Sequence, residues 1–250
     1  MPETLDAISG LGLKLRQKRT GHRVGLDAVL LTAAAAAGVV GAPRRVVDVG
    51  AGVGAVGLSL ARRFPDAEVD CVEIDAEIAA LAAENATRNG LAERARIVVA
   101  DVTSPAQRRA AGLIDGAADL VATNPPFLLA AAARLSPDLA RARAHALEGA
   151  DGLSQWLRAS LALLAPGGRF AMIHRADALP AIYAGLGRRL GDVAVRPIYP
   201  RAGEDAIRVL LTGVKGSRAP ARLAPGLVLH EADGQATPAA QAVHEGRARL

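Results

Sequence analysis

Among 250 residues there is a single cysteine, Cys71, and aromatic side chains make up only 2 % of the chain. A lone thiol excludes a disulfide scaffold and suits a reducing cytoplasm. So few rings leave no broad platform for stacking. Lysine is scarce as well, and arginine carries almost all of the positive charge. The start, Met1-Pro2-Glu3-Thr4-Leu5-Asp6, lacks a basic stretch leading into an apolar one, so no signal peptide is expected. The longest apolar run, Ala28 to Val40, is too short to cross a bilayer, and no membrane partner is expected. No group of His, Cys, Asp and Glu has metal-ligand spacing, so no metal is expected. There is no internal repeat and no linker long enough to divide the chain.

What is present is length enough for a full core, read as one α/β domain over 1–250. The net charge of +5 and pI near 10.1 suit either a nucleic-acid partner or a genome with biased codon usage. Distribution says more than the total. Lys14, Arg16, Lys18, Arg19, His22 and Arg23 crowd into an acid-free stretch, and Arg134, Arg141, Arg143 and His145 form a second basic run. Both read equally as phosphate contacts or as solvated surface.

Strands and helices alternate along most of the length. Apolar strands are predicted at Arg45–Val49, Glu68–Ile74, Arg96–Ala100, Leu120–Thr123 and Arg169–His174. Helices are predicted at Ala55–Phe64, at Asp75–Asn89 with an Asn89-Gly90 stop, and at Leu153–Leu164. Trp156 lies on the apolar stripe of the last helix and reads as core. Such alternation implies a parallel sheet with helices on both faces. Val193–Tyr199 and Ala206–Val214 have no helix between them and read as an antiparallel pair, with a further short strand at Gly226–His230.

The chemistry-bearing residues sit at predicted strand ends. Val46-Val47-Asp48-Val49-Gly50-Ala51-Gly52-Val53-Gly54 is a strand running into a glycine turn, where backbone can approach a ligand closely and a helix N-terminus follows. The register beginning at Gly50, with Asp48 before it, suits a cationic ligand better than a pyrophosphate. Glu73 ends the next strand about 20 residues on, where a carboxylate can accept ribose hydroxyls. Asp75 reads as a helix cap. Asp101 ends the third strand, where it can accept an amino group, with Ile74 and Val102 on either side of a flat ring. After the fourth strand comes Asn124-Pro125-Pro126-Phe127: an amide oxygen, a rigid turn with free carbonyls and a ring. Those groups can hold a planar amino group by two N–H bonds while the ring stacks on its base. His145 and His174 are the candidates if a base is needed.

Asp48-x-Gly50-x-Gly52-x-Gly54, Glu73, Asp101 and Asn124-Pro125-Pro126-Phe127 together resemble the class I S-adenosylmethionine-dependent methyltransferases. With Gln17 to Leu31, Arg143-Ala144-His145, Ile173-His174-Arg175 and Lys215 to Arg218 added, the chain resembles bacterial tRNA (adenine-N6) methyltransferases of the valine tRNA adenine 37 group. The resemblance implies a Rossmann-like fold: a mostly parallel seven-stranded sheet with an antiparallel C-terminal strand and helices on both faces. It also implies a segment 1–40 that covers cofactor or substrate, a catalytic core over 41–232 and a polar tail over 233–250.

By position, the resemblance implies S-adenosylmethionine as cofactor, held by Asp48, Gly50, Gly52, Gly54, Glu73, Ile74, Asp101, Val102 and Asn124. It implies a target base held by Asn124, Pro125 and Phe127, and tRNA contacts from Arg19, Arg23, Arg141, Arg143 and His145. Asp27 reads either as part of a segment closing over the cofactor or as an N-cap. Methylation of guanine N2 in ribosomal RNA, of a protein glutamine, or of a small-molecule hydroxyl are the alternative activities. The apolar Leu128–Ala133 reads as a lid or as a contact between copies in a homodimer.

Overall fold

A computed structural model describes residues 3–19, 23–39, 41–126, 152–248 and 250. The chain opens with an antiparallel hairpin, β1 (Glu3–Ile8) and β2 (Leu13–Lys18), turned by Gly12 at φ 65°. Lys14, Arg16 and Lys18 belong to the outward face of β2, while Leu13, Leu15 and Gln17 are buried. The basic run is thus one side of a strand. Helix α1 (Leu26–Ala36) follows, with every residue from Ala28 to Ala36 buried. A helix that is apolar all round belongs inside a core, and none of the described helices is long and apolar enough to cross a membrane.

The sheet is then laid down by β3 (Arg45–Val49), α2 (Ala55–Arg63), β4 (Glu68–Glu73), α3 (Ala76–Arg88), β5 (Ala95–Val99), α4 (Pro105–Ala110) and β6 (Ala118–Thr123). It continues with α5 (Gly152–Leu163), β7 (Leu164–Arg175), α6 (Leu179–Leu186), β8 (Leu190–Arg201) and β9 (Arg208–Lys215). The order is β5-β4-β3-β6-β7-β9-β8, parallel except that β9 runs antiparallel to both neighbours. Two short strands, β10 (Arg222–Leu223) and β11 (Leu227–His230), pair in turn along the outer edge of β8, so the sheet has nine strands rather than the expected seven.

Each face has its own core. One joins α1 and α2 to Val46, Cys71, Leu120, Ala171 and Leu210. The other joins α5 and α6 to Val47, Val49, Val121, Phe170 and Leu211. Trp156 is in this second core, as its stripe predicts. Residues 233–250 are not the polar tail expected: Thr237 caps α7 (Pro238–His244), whose Ala240 and Val243 are buried in the first core. A period-3.6 pair of small apolar residues is enough to dock one short helix.

Two basic residues of this region, Lys18 and Arg23, are held by acids. Asp6 accepts from Thr4, Gln17 and Arg23, and the Gln17 Oε1 accepts from the Val24 amide at 2.9 Å. Lys18 pairs with Glu77 at the start of α3. The hairpin is thereby joined both to the strand end where Glu73 sits and to the chain leading into α1.

Candidate functional site

The C-terminal ends of β3, β4, β5 and β6 meet on one edge of the sheet, the usual place for a ligand in an open α/β fold. After β3, Gly50, Gly52 and Gly54 all take positive φ (74°, 57° and 88°), which only glycine adopts without strain. The amides of Gly50 and Ala51 both donate to the Val72 carbonyl at 2.9 Å, pinning the turn to β4. Gly50 lies against the ring of Trp156: a Cβ there would stand 2.9 Å from it. At Gly52 a Cβ would meet nothing within 4 Å, so the open side of the loop is here.

Asp48 is placed differently from the sequence expectation. Strand alternation turns it to the α2 face, where it is 2 % exposed and its Oδ2 accepts from the Gly57 amide at 2.7 Å. It holds the first turn of α2 from beneath and is not presented at the open side of the loop. Burial pushes its carboxyl up to about 7; the Gly57 hydrogen bond pulls it down and Glu73 adds to the rise. Gly57 is glycine because a Cβ would collide with Cys71 Sγ. That thiol is fully buried, and burial, then Asp48 and Asp70, raise it well above its ordinary value.

Glu73, 6 % exposed, closes β4. Its Oε2 accepts from Gly52 N at 2.9 Å and its Oε1 from the amides of Ile74 and Asp75 at 3.0 Å. The carboxylate therefore fastens the glycine loop to the end of β4 and keeps accepting capacity on Oε2. Asp75 caps α3, as predicted, by accepting from Glu77 N and Ile78 N. Asp101 follows β5, its Oδ1 bound by the Thr103 amide and hydroxyl, which leaves Oδ2 to face outward chemistry. The two walls expected for a flat ring differ. Ile74 is 36 % exposed, whereas Val102 is 3 % exposed and packed in the second core, so Val102 does not stand open as a wall.

At the end of β6, Thr123 is fully buried. Its hydroxyl donates to the Val49 carbonyl and accepts from the Trp156 indole, both at 2.9 Å. This relay ties the end of β6 to the end of β3, so the two functional strand ends keep a set distance. Next comes Asn124, whose Oδ1 is buried and has no hydrogen-bond partner among the described residues. An orphaned buried acceptor costs about 1–3 kcal/mol, and a ligand N–H would satisfy it. Pro125 is buried beside it. Phe127, Arg141, Arg143 and His145, and the stretch Leu128–Ala133, lie outside the described residues.

Of the remaining candidates, Arg19 is exposed and Arg23 pairs with Asp6 at 2.9 Å. Asp27 is neither a cap nor open. Gly25 occupies the N-cap of α1, and the Asp27 carboxylate pairs with Arg208 at 3.0 Å. His174, near the end of β7, is 7 % exposed, and burial lowers it to about 4, so it is neutral at physiological pH. Lys215 is structural: its ammonium donates to the carbonyls of Leu161 and Leu164 and closes the end of α5. Among the described residues no group of three or more His, Cys, Asp or Glu can hold a metal.

Sequence reasoning missed Asn85 and Thr123. Asn85, fully buried on α3, accepts from Arg16 N at 2.7 Å and donates to Arg16 O and Val53 O at 3.0 Å. One turn on, Asn89 does the same to Lys14, so two side-chain amides complete the outer edge of β2. The signal was an asparagine on an otherwise apolar helix face, among Ala79, Ala82 and Ala86.

Comparison with known proteins adds four findings. The family described as methyltransferase small domain matches residues 28–177. The tRNA1(Val) (adenine(37)-N6)-methyltransferase of Aeromonas hydrophila is 34% identical over 221 residues, 86% of each chain. The enzyme of that name from Porphyromonas gingivalis W83 is 35% identical over 199 residues, 77% of this chain and 76% of its own. Among solved structures, a predicted O-methyltransferase from Agrobacterium tumefaciens superposes with a TM-score of 0.73 at 31% identity. It covers 90% of this chain and 98% of its own.

Proposed function

The chain belongs to the methyltransferase small domain family, and on that premise we propose that it methylates the N6 amino group of an adenine in tRNA. It is an S-adenosylmethionine-dependent methyltransferase. The adenine at position 37 of a valine tRNA, named for the Aeromonas and Porphyromonas relatives, is the acceptor this reading favours. A tRNA acceptor places the activity in the cytoplasm.

The residues fit the cofactor. The turn is open at Gly52 and a buried carboxylate stands at Glu73. Oδ2 of Asp101 is unengaged by Thr103, and Ile74 is exposed beside it. Glu73 would take the ribose hydroxyls, Asp101 the adenine amino group and Ile74 one face of the ring, with the backbone of Gly50 and Gly52 beneath the methionine part. Asp48 and Gly54 shape the loop. When bound, S-adenosylmethionine supplies an electrophilic methyl group on a cationic sulfur. The N-terminal hairpin would close one side of the site, joined to the start of α3 by the Lys18–Glu77 pair.

Asn124 carries the reading, because its buried Oδ1 has no hydrogen-bond partner among the described residues. An exocyclic amino nitrogen is a poor nucleophile while its lone pair is delocalised into the ring. Accepting one N–H at Asn124 Oδ1 and the other at the Pro125 carbonyl favours a tetrahedral nitrogen with its lone pair aimed at the methyl carbon. Held by these two acceptors, the amino nitrogen would take the methyl group, the electron pair of the broken methyl–sulfur bond staying on sulfur, and would then release a proton to water. Catalysis is mostly placement, for which near-attack positioning supplies up to about 7–11 kcal/mol. Phe127 would stack on the base, adding about 1–3 kcal/mol of binding. Hydroxyl methylation needs a positioned base, and His174, held at about 4, is a weak one.

The test is transfer of radiolabel from S-adenosylmethionine to tRNA from a strain lacking this activity, followed by digestion to nucleosides. Label in N6-methyladenosine, reduced by Asn124→Ala about 5- to 150-fold (about 1–3 kcal/mol), is the expected result. Cofactor binding without label in tRNA would overturn the reading.

A further inference from the structure

If tRNA is the acceptor, phosphate contacts are needed, and the hairpin supplies few. Arg16 pairs with Glu3 and Glu84, Lys18 with Glu77 and Arg23 with Asp6. The opposite half of the sheet holds arginines without such partners among the described residues.

Strand register sets Ala171, Thr212, Ala194 and Arg222 in one row across β7, β9, β8 and β10. Side chains in a row share a face, and residues two apart on a strand share it too. Ala171 packs in the core beneath α1, so this is the α1 face. Arg169 lies two residues before Ala171 on β7, and Arg196 two residues after Ala194 on β8, which places three arginines on one face around a floor of small side chains. Arg169 leans on the C-terminus of α1, where a Cβ on Gly38 would stand 3.0 Å from its Nη2. Its Nε is buried and has no hydrogen-bond partner among the described residues. Arg196 donates to the Pro225 carbonyl at 2.5 Å, and Arg222 is exposed.

Little negative charge offsets them. Burial, and then Arg222, lower the guanidinium of Arg196 from its ordinary value. Burial lowers that of Arg169 too, with Asp192 opposing and Arg222 adding to the fall. Neither Arg196 nor Arg222 makes an ion pair among the described residues. Of the three, Arg196 stands level with the site. Arg196 is opposite Leu210, which is opposite Ile173; Ile173 follows Met172, the partner of Thr123. Arg196 is therefore in the row of Asn124, three strand spacings away, or roughly 14 Å. A base held at Asn124 would have its own stem within reach of that distance.

We propose that Arg169, Arg196 and Arg222 form a phosphate-binding surface that grips the backbone of the acceptor RNA beside the catalytic edge. The inference rests on the tRNA reading above.

The test compares wild type with Arg196→Gln/Arg222→Gln and with the single Arg222→Gln, whose site is exposed and tolerates the change. Binding of fluorescent tRNA is followed over a salt series, and S-adenosylmethionine affinity serves as the check of folding. Each lost phosphate contact makes the log–log salt slope shallower by about 0.7–0.9. The double variant should lose about 10-fold in tRNA affinity or more, with a slope shallower by about 1.4–1.8, while Arg196→Lys/Arg222→Lys keeps most of both. Unchanged affinity and slope in the glutamine variants, with tRNA still methylated by wild type, would overturn this surface and leave the tRNA reading standing. A wild-type protein that neither binds nor methylates tRNA would overturn both.

Discussion

The amide of Asn85 reaches from α3 to the Val53 carbonyl in the middle of the glycine loop, at 3.0 Å, while its other contacts hold the backbone of Arg16 in β2. One side chain thus joins the N-terminal hairpin to the turn at the end of β3. The hairpin is fastened to the cofactor loop and does not merely lie beside it.

Asn85→Asp should separate those contacts. The aspartate can still accept from Arg16 N but faces two carbonyl oxygens with a carboxylate. A stability loss of about 1–3 kcal/mol is expected, with a larger fractional loss of S-adenosylmethionine affinity than Asn89→Asp causes. Thermal unfolding and calorimetric titration of both variants would show it; equal effects on cofactor affinity would refute the link to the loop.

Gly50 and Gly52 should fail in different ways when changed to alanine. Both carry positive φ, costing about 1–2 kcal/mol for an L residue. Gly50→Ala also drives a methyl into Trp156, whereas Gly52→Ala meets only open space. Gly50→Ala should lower the melting temperature more, and Gly52→Ala should weaken cofactor binding beyond its small stability cost. Melting curves with and without cofactor decide the matter.

Two buried groups give stability opposite pH slopes. Asp48 titrates at about 7 when folded against 3.8 ordinarily, so the stability it lends is complete below 3.8 and is lost as pH rises through 7. The span is on the order of 4 kcal/mol. His174 titrates at about 4 against 6.5, so its share is complete above 6.5 and is lost as pH falls through 4. Asp48→Asn, which still accepts from Gly57, should leave a melting temperature that climbs with pH through this window. His174→Gln should leave one that falls. Parallel curves for the two variants and wild type would contradict both assignments.

Lys215→Met should cost about 1–3 kcal/mol, by removing two charged hydrogen bonds from the end of α5. KM values for both substrates should stay unchanged, since neither carbonyl belongs to the site. A changed KM for tRNA would instead place Lys215 in the RNA surface.

Much of this was legible in the residues. The apolar runs of β3, β4, β5 and β6 and the glycine turn are local signals, and the helix-free connection marked β8 and β9 as antiparallel. The hairpin was hidden because its charged face reads as a basic run, although Leu13-Lys14-Leu15-Arg16 alternates as a strand does. Asp48 was assigned to the ligand because its position at a strand end was weighed and its side of the sheet was not. Asn85 reaches Val53 across 32 residues and Trp156 reaches Thr123 across 33, so local pattern marks the residues but not the partners they take.

Cys71 lies sealed between β4 and the first turn of α2, the only thiol in the chain. That makes it a built-in clock for opening of the molecule. A sulfhydryl reagent can reach it only when α2 lifts from the sheet, so the labelling rate counts those excursions. Cofactor that braces the glycine loop should slow the clock by the factor 1 + [L]/Kd, which yields a dissociation constant with no catalysis and no attached dye.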